Sequence, residues 1–215
     1  MKVGTDAVLL GAWAHIESAR SILDAGCGSG IIALMCAQRN KQASVTGIEL
    51  DQEAANQAAE NCANAPFSKR IRIVHGDFFE NVQDVFDHVI CNPPFHAGHV
   101  LPENEQRKHA RHAVDGLENW FGMANKLSSK LGKASFVLPF ETFTSIESRV
   151  QPCGWQISRY CNVIPCEGKE PLRILIELSK VECTCTTSEI QIETTARKHY
   201  HESYLELVND FYLFA

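Results

Sequence analysis

Short apolar runs of strand length alternate with longer stretches of helical spacing through the first half of this chain. Strands are read at 22–25, 44–50 and 70–75, with helices at 31–39 and 52–63 between them and a further strand at 86–91. Each return to a parallel strand needs a crossover, and the crossover helices must cover a face. The expected fold is therefore α/β: a Rossmann-like sheet of seven mostly parallel strands with helices on both faces. A short helix over 6–14, capped by Thr5, precedes the sheet, with Val8, Leu9, Ala12 and Trp13 on its apolar face. A polar loop is read over 97–115, then a helix over 117–128, a strand over 134–138 and a helix over 141–150. Strands at 155–163 and 172–178 follow without a helix between them, which implies an antiparallel edge. A further strand over 189–193 and a helical tail over 200–214 end the reading. Trp120, Phe121, Ala124 and Leu127 fall at helical spacing and are read as core, not as a cofactor contact.

With 215 residues and 45% hydrophobic content, the chain is expected to form one well-buried domain over 1–215. No apolar run approaches the roughly 20 residues of a membrane-spanning helix, and the first residues lack a secretory pattern. The nine cysteines are scattered and odd in number, and several lie inside apolar patterns, so a reduced, cytoplasmic protein is expected. Cys183 and Cys185 lack partner ligands at usable spacing, so no metal is expected. A net charge of −6 argues against a nucleic-acid partner. Charge can still be local: Arg107, Lys108, His109, Arg111 and His112 form one basic cluster, and Arg197, Lys198, His199 and His201 another. The first follows the loop described next, so Arg107, Lys108 and Arg111 are read as substrate contacts.

Four strand ends carry the chemistry. The first leads into Asp24-Ala25-Gly26-Cys27-Gly28-Ser29-Gly30 and then a helix, a turn that lets a ligand approach the backbone closely. Ile31 breaks the dinucleotide fingerprint Gly-x-Gly-x-x-Gly, and the spacing instead resembles the first motif of S-adenosylmethionine-dependent methyltransferases. Glu49, about 20 residues past the glycines, ends the second strand and is placed to bind ribose hydroxyls. Asp77 and Phe78 end the third, an acid to accept from an adenine amino group and a ring to flank it. The fourth delivers Asn92-Pro93-Pro94-Phe95. Prolines stiffen this loop and donate no N–H, so it presents carbonyl oxygens, the Asn92 amide and an aromatic ring. Such a surface accepts two hydrogen bonds from a planar amino group and stacks on its ring.

These motifs together resemble the tRNA adenine N6-methyltransferases acting at position 37 of a valine tRNA. Met1-Lys2-Val3-Gly4-Thr5-Asp6 and Val8 to Trp13 look like the family's opening block, and Phe211-Tyr212-Leu213-Phe214 its closing one. The family carries a further segment before that opening block, so the resemblance implies a chain short at its start. It implies S-adenosylmethionine as cofactor, held by Asp24, Gly26, Gly28, Gly30, Glu49, Asp77, Phe78 and Asn92, with Gly4 and Thr5 closing its methionine end. It also implies a tRNA anticodon loop as partner, its target adenine unstacked and inserted. The Asn92 side-chain oxygen and the Pro93 carbonyl would each accept one N6–H bond, and Phe95 would stack on the base. The loop itself recognises any planar amino group. Protein glutamine methylation, guanine N2 methylation of ribosomal RNA and an inactive RNA- or protein-binding module therefore stay open at this point.

Overall fold

The structure, a computed structural model, describes residues 4–94, 116–195 and 199–212. Its centre is one sheet of eight strands in the order β3-β2-β1-β4-β5-β7-β6-β8, one more than the expected seven, because the further strand read over 189–193 joins the sheet. The strands are β1 (Ser21–Ala25), β2 (Ser44–Glu49), β3 (Ile71–His75), β4 (Phe86–Cys91), β5 (Ser128–Pro139), β6 (Gln156–Cys166), β7 (Arg173–Ser179) and β8 (Thr186–Glu193). The first five pair in parallel, with β1 between β2 and β4. The expected antiparallel element is β7, set between β5 and β6, while β8 joins β6 in parallel at the edge.

The inner strands are rich in apolar residues because both faces are covered, with Asp24, His88, Ser135 and Glu177 as their buried polar exceptions. Ile22, Ile90 and Val137 point to one core, while Leu23, Val89 and Phe136, their immediate neighbours in sequence, point to the other. Helices α1 (Thr5–Trp13), α2 (Ile31–Arg39) and α6 (Glu202–Val208) contribute to the first core. Helices α4 (Gly116–Leu127) and α5 (Phe143–Val150) contribute to the second. Helix α3 (Gln52–Ala63) packs on β2 and β3, its N-terminus capped by Asp51, whose carboxylate accepts from the Ala54 N–H at 2.8 Å.

Helix α1 differs from its expected form in two ways. It begins at Thr5 itself, preceded by Gly4, and the Thr5 hydroxyl caps nothing. It is also buried all round from Ala7 to Trp13, because α2 and α6 close over the face turned from the sheet. Polar anchors hold it. Asp6 pairs with Arg173 at 2.9 Å, and Arg159 donates to the Trp13 carbonyl at 2.6 Å while its guanidinium lies 3.6 Å from the Trp13 ring centre. Arg159 and Lys133 in turn meet Glu177 at 3.4 and 2.9 Å, a carboxylate on β7 that is 1% exposed. Burial would raise its pKa, but the hydrogen bond from Lys133 and the charge of Arg159 hold it below the ordinary range. His88 and Ser135 bond to each other nearby at 2.9 Å, and burial lowers the His88 pKa to about 4.

Candidate active site

The carboxyl ends of β1 to β4 open onto one cavity of about 520 Å³, within the size range of small-ligand pockets. Its floor is the turn from β1 into α2. Gly26, Gly28 and Gly30 all take positive φ, at 72°, 55° and 81°. This folds the chain back so that the Gly26 and Cys27 amides both reach the Ile48 carbonyl at 2.9 Å. Glu49 closes the same turn from β2: one carboxylate oxygen accepts from the Gly28 N–H at 2.8 Å, the other from the Asp51 N–H at 3.0 Å. Because Glu49 also lines the cavity, a ligand hydroxyl there meets a carboxylate already fixed by two backbone amides.

The wall beyond is aromatic. Phe78 and Trp120 stack at 5.2 Å with 14° between ring planes, and Phe79 meets both edge-on. Asp77 is shaped into a turn, its carboxylate accepting from the Phe79 N–H at 2.8 Å. Gly4 and Ala7 of the α1 start and Asn92 and Pro94 of the loop after β4 complete the lining.

The cavity thus gathers Gly4, Gly26, Gly28, Glu49, Asp77, Phe78 and Asn92. Thr5, Asp24, Gly30 and Pro93 are not in its lining. Asp24 sits beneath the turn, fully buried, with one oxygen accepting from the Ala33 N–H at 2.9 Å and the other without a hydrogen-bond partner. Burial pushes its pKa up to about 7, against the pull of that hydrogen bond. Gly30 forms the left-handed N-cap of α2, packed so closely that an added Cβ would stand 3.2 Å from the Cys62 sulfur. Pro93 is buried under the loop. Phe95, Arg107, Lys108, Arg111, Arg197 and Lys198 lie outside the described residues. Sequence reasoning missed Trp120, which is core-packed as its spacing predicts and also faces the cavity, and it missed Asp51. An acid three residues before Ala54 at a helix start was a legible cap signal for Asp51. Nothing in the pattern marked Trp120.

The arrangement suits a nucleoside-bearing ligand: a glycine turn that admits it, a carboxylate for its hydroxyls and an aromatic wall for its base. Residues 3–121 match the family described as the methyltransferase small domain. The backbone resembles a predicted O-methyltransferase from Agrobacterium tumefaciens, with a TM-score of 0.74 and 23% identity over 95% of this chain and 96% of that one. It also resembles a ribosomal protein L11 methylase from Lactobacillus delbrueckii, at 0.59 and 18% over 82% and 78%. These define a Rossmann-like methyltransferase. Sequence relatives narrow the class. The tRNA1(Val) (adenine(37)-N6)-methyltransferase of Haemophilus influenzae is 38% identical over 99% of this chain and 92% of its own length. That of Bacteroides thetaiotaomicron is also 38% identical, over 99% and 91%. The chain belongs to the family of tRNA1(Val) (adenine(37)-N6)-methyltransferases.

Proposed function

We propose that this chain methylates N6 of adenine 37 in the anticodon loop of a valine tRNA, in the cytoplasm, with S-adenosylmethionine as donor. The observation that carries the proposal is the meeting of Asn92 with the glycine turn, Glu49, Asp77 and Phe78 around one cavity. When bound, the cofactor supplies an electrophilic methyl group on sulfur. The residues that would hold it are Gly26 and Gly28 by close backbone approach, Glu49 at the ribose, and Asp77 and Phe78 at the base, with Gly4 at the methionine end. Asp24 and Gly30 act from beneath, by shaping the turn.

Asn92 stands where the target amino group would enter. Its side-chain oxygen and the Pro93 carbonyl accept the two N6–H bonds, which orients the nitrogen and raises its electron density. Phe95 stacks on the base, and Arg107, Lys108 and Arg111 contact the RNA backbone. An adenine amine is a poor nucleophile and a poor base, so positioning and electrostatics lower the barrier rather than a nucleophilic side chain. The N6 proton becomes acidic only after the methyl is attached, so water can accept it.

The test is transfer of labelled methyl to unmodified tRNA, with ribosomal RNA and a release-factor protein in parallel, followed by nucleoside analysis. N6-methyladenosine from tRNA is the expected product. Label in the protein instead would reassign the chain to glutamine methylation. Asn92→Ala is expected to abolish transfer while S-adenosylhomocysteine still raises the melting temperature; loss of that binding would count against the role given to Asn92.

A further inference from the structure

Helix α1 is buried from Ala7 to Trp13, so burial alone does not decide how it is turned. Contact between apolar side chains has no direction, and Asp6 is the single charged residue between Thr5 and Trp13. Other contacts pin the later half of the helix. Arg39 donates to the Gly11 carbonyl at 2.7 Å and Arg159 to the Trp13 carbonyl at 2.6 Å. Gly11 also lies so close to α2 that an added Cβ would stand 2.8 Å from the Met35 sulfur.

The first turn lies beyond these pins, and it is the part that reaches the cavity, through Gly4 and Ala7. Among the described residues, one polar contact ties that turn to the rest of the molecule: Asp6 with Arg173, at 2.9 Å. The Gly4 carbonyl accepts from the Ala7 and Val8 amides of its own helix, at 3.2 and 3.3 Å, and the Thr5 hydroxyl caps nothing. The anchor is rigid. Arg173 sits on β7 between Pro139 of β5 and Val163 of β6, and its guanidinium also donates to the Leu172 carbonyl at 3.1 Å. Neither Asp6 nor Arg173 lines the cavity, so the pair acts through the turn that it holds.

We propose that Asp6 and Arg173 are a positioning pair, which sets the first turn of α1 against the amino-acid end of the cofactor. This rests on the reading that Gly4 stands at that end. With the pair broken, the turn keeps its apolar contacts but is free to swing about the pin at Gly11, and the cavity loses its wall at one end only. The adenosine end is built by Glu49, Asp77 and Phe78 after other strands, so it keeps its shape.

The test measures binding of two ligands to the full chain by calorimetry. S-adenosylhomocysteine carries the amino-acid chain; methylthioadenosine keeps the nucleoside and the sulfur and lacks that chain. Arg173→Met is the first variant, since it keeps an apolar stem and loses the charge. Asp6→Asn is the second, although Asp6 also suits the helix dipole in the first turn. Each is expected to weaken S-adenosylhomocysteine about threefold to fivefold, the upper range for a partly exposed ion pair, and to leave methylthioadenosine unchanged. The double variant is expected to lose no more than either single one, because the two side chains act as one unit. In methyl transfer, KM for S-adenosylmethionine rises by the same factor and kcat at saturating cofactor stays as in the wild type. Unchanged binding in both single variants overturns the pairing role, as do losses that add in the double variant. Equal weakening of both ligands overturns it too, because that is general softening of the fold. A direct pull of Asp6 on the ligand's ammonium predicts tighter binding in Arg173→Met, and that result would also refute the proposal. A wild type that binds methylthioadenosine as tightly as S-adenosylhomocysteine overturns the reading of Gly4 and the positioning pair with it; a wild type that prefers S-adenosylhomocysteine beside indifferent variants overturns the pair alone.

Discussion

Asp24 is fully buried under the glycine turn, and its surroundings favour the neutral acid. Burial raises its pKa from 3.8 to about 7, and only one of its oxygens has a hydrogen-bond partner, the Ala33 N–H. The sign follows from linkage: a carboxyl that binds its proton more tightly when folded makes the fold more stable at low pH. That contribution is complete below the unfolded value of 3.8 and is lost as pH rises through about 7. At about 1.4 kcal/mol per unit, ionising Asp24 in place costs the fold at most about 4 kcal/mol, of which about 2 is lost between about pH 5.5 and pH 8.5. Asn matches the neutral acid in shape and keeps an acceptor for the Ala33 N–H. Asp24→Asn should therefore be stabilising by about 2 kcal/mol at the lower pH and about 4 kcal/mol at the higher, the difference of about 2 kcal/mol being worth roughly 5 °C in melting temperature for a chain of this size. The assay is denaturant unfolding of wild type and variant at both pH values, on protein freed of cofactor, because a ligand bound only to the fold adds its own stability. Other titrating groups cancel in the difference between the two proteins. If Asp24→Asn is destabilised equally at both pH values, the carboxylate is ionised in the fold and the reasoning fails.

Gly30→Ala forces a side chain into a left-handed N-cap, at φ 81°, against Cys62 and Ala58, and should cost at least about 1–2 kcal/mol in thermal unfolding. A variant as stable as the wild type would show that the turn can relax. Glu177→Gln leaves Arg159 and Lys133 without their buried counter-charge and should lose about 3 kcal/mol at neutral pH. Because the Glu177 pKa lies below its ordinary 4.5, its contribution is complete above that value and is lost as pH falls below it, so the two proteins should converge in acid. A constant gap between their unfolding midpoints down to about pH 3 would contradict this.

The order of glycine turn, acid, acid and amide along the chain became one cavity for a topological reason. Parallel strands joined by crossovers all end on the same edge of the sheet, so residues far apart in sequence meet there. The same alternation made β1 to β4 and the buried second half of β5 legible, whereas the first half of β5, from Ser128 to Lys133, is polar and was not read as strand. The edge was harder. The first half of β8, from Thr186 to Glu189, is exposed and polar, so it carries none of the burial signal by which a strand is recognised, and its pairing with β6 supplies what its composition lacks. Trp120 failed for a different reason. Helical spacing correctly assigned it to the buried face of α4, but spacing reports a direction and not what stands in that direction. An indole is large enough to pack on Phe78 and still show an edge to the cavity. Core and ligand wall are not alternatives for such a residue: the stack that holds Trp120 in place is also what makes its exposed edge rigid enough to recognise a ring.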